Sequence, residues 1–237
     1  MCGRYRLSRH KQVLVERFGV EDEEDFTWQP RYNIAPTDHV PAIRQDAHEP
    51  RRRISLMRWG LIPSWAKDIS IGARLINARA DTAAEKPAFR EALLRRRCLV
   101  PADGFYEWKK LEKTKQPYCL AMADDDLFAF AGIWDRWKDP QAGWIKSFSI
   151  LTTEPNRLAR EVHDRMPAIL DPGDYDQWLD PGLTDAAAVQ ELLKPYDASR
   201  MRMYPVSARV NSVKNDDPAC AEPVTSEAPQ QLGLLGT

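Results

Sequence analysis

The chain has 237 residues, and 34 Lys and Arg stand against 35 Asp and Glu, for a net charge of −1. That balance excludes a protein that coats nucleic acid by bulk charge, while leaving room for a local basic patch. A hydrophobic content of 43% with eight Trp is enough to pack one domain, or at most two small ones.

The chain opens "MCGRYRLS", and its charge is segregated at once. Residues 1–17 hold Arg4, Arg6, Arg9, Lys11 and Arg17 against Glu16 alone, and "EDEED" follows. Such runs most often mark a solvated surface. Cys2 is small, so an aminopeptidase can remove Met1 and leave a free α-amine beside a thiol. An α-amine titrates near about 8, so an appreciable fraction is neutral at pH 7, whereas Lys titrates near about 10.4. A neutral amine attacks an aldehyde to give an imine, and the thiol then closes a five-membered thiazolidine intramolecularly. The bland reading of Cys2 is an accident of position.

Residues 8–18 predict a short helix capped by Ser8, with Val13, Leu14 and Phe18 clustered near its end. "RYNIAPTDHVPAI" is extended and interrupted by proline. "RRRISLMRWGLIPSW" begins as an alternating strand and ends in a Gly/Pro turn. "GARLINARAD" reads as extended, and residues 82–95 as a helix with Pro87 in its first half. "CLVPA", "GFYEWKK", "PYCLAMA", "LFAFAGIW" and "KSFSILTT" form a run of strands, with "KKLEKTKQ" as a hairpin loop. A helix is expected over 154–162, then the loop "HDRMP", two short helices ("PGDYDQWL" and "TDAAAVQELL") and a last strand, "RMYPVS". From about 216 the composition turns to Asp, Pro, Ala, Glu and Gln and reads as a loose, disordered tail, 216–237. The expectation is one domain over 2–215, an antiparallel sheet or open barrel with short helices.

The four cysteines, at 2, 98, 119 and 220, include no CxxC and no zinc spacing. Cys98 and Cys119 lie in apolar strand-like runs and read as buried thiols. No signal core or membrane-length run is present, so the expectation is a reduced, cytoplasmic protein without metal or cofactor.

Six further positions can carry chemistry. Asn77 and Arg79 share one face of an extended segment, an amide beside a guanidinium that suits a phosphate-bearing ligand; a solvent-facing strand edge is the alternative. Glu107 faces away from Tyr106 and Trp108 and beside apolar Phe105, where a raised pKa would suit a general acid and base; an exposed strand Glu is the alternative. His163 can move protons near neutral pH, with Asp164 and Arg165 beside it, or be a surface or capping His. Pro36 and Trp65 can be wedges or stacking surfaces for a base, or plain core.

Taken in order, "MCGRY", "RYNIAPT", "RWGLIPSWAKD", "LINARADT", "PADGFYEWKK", "HDRMPAIL" and "PVSARVNSVKND" closely resemble the SOS response-associated peptidase family of abasic-site processing proteins, from residue 2 to about 215. The resemblance implies a single α+β domain around a twisted, barrel-like, mainly antiparallel sheet with flanking short helices and a basic groove. It implies that Met1 is removed and that Cys2 joins the aldehyde of a ring-opened abasic deoxyribose in single-stranded DNA, as a thiazolidine crosslink that shields the lesion. Glu107 would assist ring opening and imine formation, His163 would contact the sugar and help reverse the adduct, and Asn77 would orient sugar and amine. Arg4, Arg79 and Arg165 would hold flanking phosphates, and Pro36 and Trp65 would splay the bases. Some relatives carry a second aromatic after that Trp, where this chain has Ala66. No cofactor is implied. The expected partner is single-stranded DNA with an abasic site, kinked or meeting a duplex end, bound by a monomer associated with the nucleoid when engaged.

Two other readings use the same residues. An N-terminal-cysteine peptidase or amidohydrolase, self-processing or otherwise, would attack through Cys2 with Glu107 or His163 moving protons, but no oxyanion-hole motif is evident. A non-covalent single-stranded DNA-binding module would bind intact and abasic strands equally and leave Cys2 incidental.

Overall fold

In the computed structural model of the protein, residues 2–45 and 50–225 are described. Thirteen strands appear among them: β1 (Tyr5–Leu7), β2 (Asp22–Glu23), β3 (Arg31–Ile34), β4 (His39–Gln45), β5 (Arg52–Trp59), β6 (Asn77–Arg79), β7 (Arg97–Ala102), β8 (Gly104–Lys110), β9 (Lys115–Met122), β10 (Phe128–Asp139), β11 (Gly143–Thr153), β12 (Met166–Pro167) and β13 (Met201–Pro205). Five short α-helices connect them: α1 (Lys11–Arg17), α2 (Ala80–Ala83), α3 (Arg90–Arg95), α4 (Tyr175–Leu179) and α5 (Ala186–Glu191).

Strands β5, β4, β7, β10 and β11 pair antiparallel in that order, and β11 then closes onto β5 in parallel, Ser147 against Arg58 and Phe148 against Trp59. The result is a closed, mixed five-stranded barrel. Every residue of β7 is buried, as expected of a central strand covered on both faces. Its one cation, Arg97, donates to the carbonyls of Leu93 and Leu94, both at 2.9 Å, and of Trp178. Gly132 lets β10 approach β7, because a Cβ there would sit 2.7 Å from Cys98 Sγ.

A second, wholly antiparallel sheet runs β13-β9-β8-β1-β3. It is joined to the barrel by aromatic side chains at its centre. Tyr5 meets Trp59 and Phe130 edge-on, with centroids 5.2 and 5.7 Å apart, and Phe105 meets Phe130 at 5.9 Å. Such pairs add roughly 0.5–1.5 kcal/mol each beyond buried area. They anchor β1, and so place Cys2 between the two sheets.

The α+β architecture and the barrel agree with the expectation, but several elements differ. Ser8 does not cap a helix. Its N–H and hydroxyl both bond Asp103 Oδ2, at 2.8 and 2.5 Å, and α1 starts only at Lys11. The helix expected over 82–95 is two helices, α2 and α3, with Pro87 between them, since proline removes a backbone donor and clashes with the preceding turn. Over 154–162 only a 3-10 turn forms, at Ala159–Glu161, because Asn156 Oδ1 takes the N–H groups of Leu158 and Ala159. Packing also continues past residue 215. Asp216 accepts the N–H groups of Tyr32 and Asn33 at 2.6 and 2.8 Å and pairs with Arg31, while Cys220 and Ala221 are buried. The boundary expected after 215 therefore does not mark the end of the packed chain, and residues 226–237 lie outside the described residues. No helix among the described residues is long and apolar enough to cross a membrane.

Candidate functional site

The start of the chain is threaded into the protein. Tyr5 pairs with Phe105 and Arg6 with Gly104, and the Tyr106 N–H donates to the Arg4 carbonyl at 3.0 Å. Continuing this antiparallel register brings Gly3 opposite Glu107. Cys2 is completely buried. Its thiol donates to the Arg4 carbonyl at 3.7 Å. Burial pushes the thiol far above its ordinary range, and the nearby Glu107 carboxylate acts in the same direction. The sulfur is thus held as a neutral thiol.

Asn77 reaches Cys2 from the other sheet. Its Nδ2 donates to the Cys2 carbonyl at 2.7 Å, while its buried Oδ1 has no hydrogen-bond partner among the described residues. The preceding loop fixes this reach. Gly60, at φ +123°, packs so tightly against Gly72 that a Cβ on Gly60 would fall 2.5 Å from the Gly72 carbonyl oxygen. Leu61 and Leu75 then bond at 3.0 Å, and β6 runs parallel to β11, Asn77 against Ile150 and Arg79 against Thr152.

Glu107 is 4% exposed. Burial raises its carboxyl to about 7, where it can both give and take a proton near neutral pH. It lines an open cleft of about 800 Å³ together with His163, Asp164, Arg160 and the lysines of the β8–β9 hairpin, Lys109, Lys110 and Lys115. Burial lowers the pKa of His163. Two groups compete for its Nδ1: the Arg165 N–H donates to it at 3.0 Å, and Asp164 Oδ1 stands 2.8 Å away. A neutral ring keeps the first contact and carries its proton on Nε2; a protonated ring donates to Asp164 instead. Among the described residues no cluster of His, Cys, Asp and Glu is arranged to hold a metal ion.

A family model described as SOS response associated peptidase (SRAP) matches residues 1–213. The chain belongs to the SRAP family. It is 44% identical over 224 residues, 94% of this chain and 99% of the relative, to the abasic site processing protein YoqW of Bacillus subtilis. It is 33% identical over 273 residues to the abasic site processing protein HMCES of Gallus gallus, covering 98% of this chain and 80% of that one. A crystal structure of a Bacteroides thetaiotaomicron protein superposes with a TM-score of 0.84 at 31% identity, over 94% of this chain and all of that one.

In this SRAP chain Cys2, Asn77, Glu107 and His163 converge at the junction of barrel and second sheet. Arg79 and Arg165 are brought together beside them, sharing Asp81. Arg4 is committed to the fold. Its Nη1 donates to Asn33 Oδ1 at 2.8 Å and to the Val210 carbonyl at 2.9 Å, and its guanidinium lies 5.9 Å from the Trp108 ring centroid. Pro36 is half-buried in the turn that follows β3. Thr37 holds φ +78° there, and its N–H bonds the Trp59 carbonyl at 2.8 Å. Because β1 pairs with β3, Tyr5 against Ile34, this turn lies alongside the start of the chain. Trp65 is 60% exposed and stands apart, in a loop packed on β10 through Ser64 to Asp135 and Trp137 to Ala66. Sequence reasoning missed Asp81 and the cleft lysines as members of the site. An acid two residues after Arg79 was a readable cue for the first; only the hairpin's position reveals the second.

Proposed function

We propose that this protein captures abasic sites in single-stranded DNA as a covalent thiazolidine through Cys2, after Met1 has been removed. While Met1 is attached the Cys2 nitrogen is an amide and cannot form an imine. Once free, the amine attacks C1′ of the ring-opened sugar to give a carbinolamine, which loses water to become an imine. The sulfur then adds to the imine carbon, and the thiol proton passes to the nitrogen. One aldehyde, one amine and one thiol thus yield one ring and one water.

The observation that carries this reading is the convergence of a buried Cys2, the Asn77 amide on its carbonyl at 2.7 Å and a carboxyl titrating near 7 on a cleft open to solvent. Protonated Glu107 supplies the proton that the departing carbinolamine oxygen needs; its carboxylate can take one back from the thiol or from the sugar hydroxyl during ring opening. The neutral thiol fits an order in which nitrogen attacks first. Asn77 Oδ1, which has no hydrogen-bond partner among the described residues, can accept from the freed amine and hold its lone pair toward the aldehyde. Neutral His163 offers an Nε2 proton to the sugar oxygen. Arg79 and Arg165 supply phosphate contacts, and the names of the relatives support the lesion as substrate.

The test is incubation of the protein with single-stranded DNA carrying one abasic site, followed by a denaturing gel and intact mass. The reading expects a heat-stable shifted band from protein whose mass shows Met1 removed. Absence of that band from such protein overturns it.

A further inference from the structure

Asp81 stands between two cations that belong to different elements. Arg79 ends β6, and Arg165 immediately precedes β12. Strand β11 brings them together, because Thr152 pairs in register with Arg79 and its carbonyl and Oγ1 accept from the Arg165 guanidinium. The Asp81 carboxylate accepts from Arg79 Nε and Nη2 at 3.1 and 2.7 Å, and its Oδ2 lies 3.6 Å from Arg165 Nη1. The Arg79 and Asp81 side chains are 57% and 48% exposed, so the pair faces solvent rather than the core.

A carboxylate and a phosphodiester present the same paired oxygens to a guanidinium. The two arginines and Asp81 together carry one net positive charge instead of two. From this geometry we infer that Asp81 is a resident occupant of the phosphate position: a backbone phosphate of the single strand must displace or share it, so Asp81 weakens hold on undamaged DNA and leaves retention to capture at Cys2. The inference rests on the single-stranded DNA reading given above and names a specificity-determining residue for it. The Arg79 hydrogen bonds hold the Asp81 carboxyl below its ordinary range, and Arg165 and the nearby Asp164 are the other charges acting on this pair. Asp81 therefore stays ionised through neutral pH, and the restraint is constant rather than switched.

The experiment is fluorescence anisotropy of an intact single-stranded oligonucleotide, with no abasic site, titrated with wild type, Asp81→Asn and Asp81→Glu at several salt concentrations. Asp81→Asn should bind about three- to tenfold more tightly at low salt. The slope of log Kd against log salt should steepen by about 0.7, the single-strand increment for one more phosphate neutralised. Asp81→Glu should stay near wild type on both measures. Equal or weaker binding by Asp81→Asn, an unchanged slope, or an Asp81→Glu variant that behaves like Asp81→Asn overturns the inference. A parallel incubation of wild type with abasic DNA separates the two claims: an adduct there leaves the capture reading standing whatever Asp81 does.

Discussion

The Asn77 side-chain amide donates to the Cys2 carbonyl at 2.7 Å, tying the start of the chain to a strand 75 residues further on. That bond fixes the Cys2 backbone, and hence the position of its nitrogen and sulfur near Glu107. Replacing Asn77 with Ala should slow adduct formation by about 10- to 100-fold, the usual consequence of loosening a reacting group by an ångström. A gel time course at saturating abasic DNA measures it. An unchanged rate would remove Asn77 from the mechanism.

Glu107 links chemistry to stability. Its carboxyl is raised from an ordinary 4.5 to about 7, chiefly by burial. A raised pKa means that the fold disfavours the ionised form, so this contribution to stability is complete below about 4.5 and lost as pH rises through 7. Glu107→Gln, neutral at every pH, should abolish that slope. It should melt higher than wild type at pH 8, by up to about 3 kcal/mol of stability, and similarly to it at pH 4.5. The same variant should form adduct about 100-fold more slowly. A Glu107→Gln protein that melts like wild type at pH 8 would contradict the buried-carboxyl assignment.

Cys2→Ser separates the nitrogen–carbon step from the sulfur–carbon step. The amine remains, so an imine still forms and can be trapped with borohydride, but the oxygen ring closes far less favourably. The expected outcome is a band only after reduction and none that survives heating without it. A heat-stable band from unreduced Cys2→Ser would exclude the thiazolidine.

Arg4 and Arg79 should fail in different ways. Arg4→Ala removes two hydrogen bonds and leaves Asn33 Oδ1 without its donor, a loss of roughly 2–3 kcal/mol that thermal melting will register. Arg79→Gln breaks only an exposed pair with Asp81, so it should leave melting unchanged while flattening the salt dependence of DNA binding. If Arg4→Ala melts like wild type, Arg4 is a phosphate contact rather than a strut.

The strands were legible in order along the chain, because a short unbroken apolar run is a local property: "CLVPA" and "LFAFAGIW" announce β7 and β10 without reference to any other segment. Helix limits were less legible. Ser8 looks like a cap until Asp103, 95 residues away, takes both of its polar groups, and Asn156 claims N–H groups that a longer helix would have used.

Under the proposed function the reactive group is legible in the sequence, since removal of Met1 from Cys2 leaves an amine beside a thiol, and ordered motifs pointed to the family. What tertiary structure alone decided is where that group sits and what surrounds it. Closure of β11 onto β5, the Gly60–Gly72 crossing and the pairing of β1 with β8 carry Asn77, Glu107 and His163 to Cys2 from strands and loops far apart in sequence. A carboxyl pKa near 7, a committed Arg4 and a carboxylate shared by two arginines are all consequences of that assembly, because burial and Coulomb interaction depend on distance in space and not along the chain.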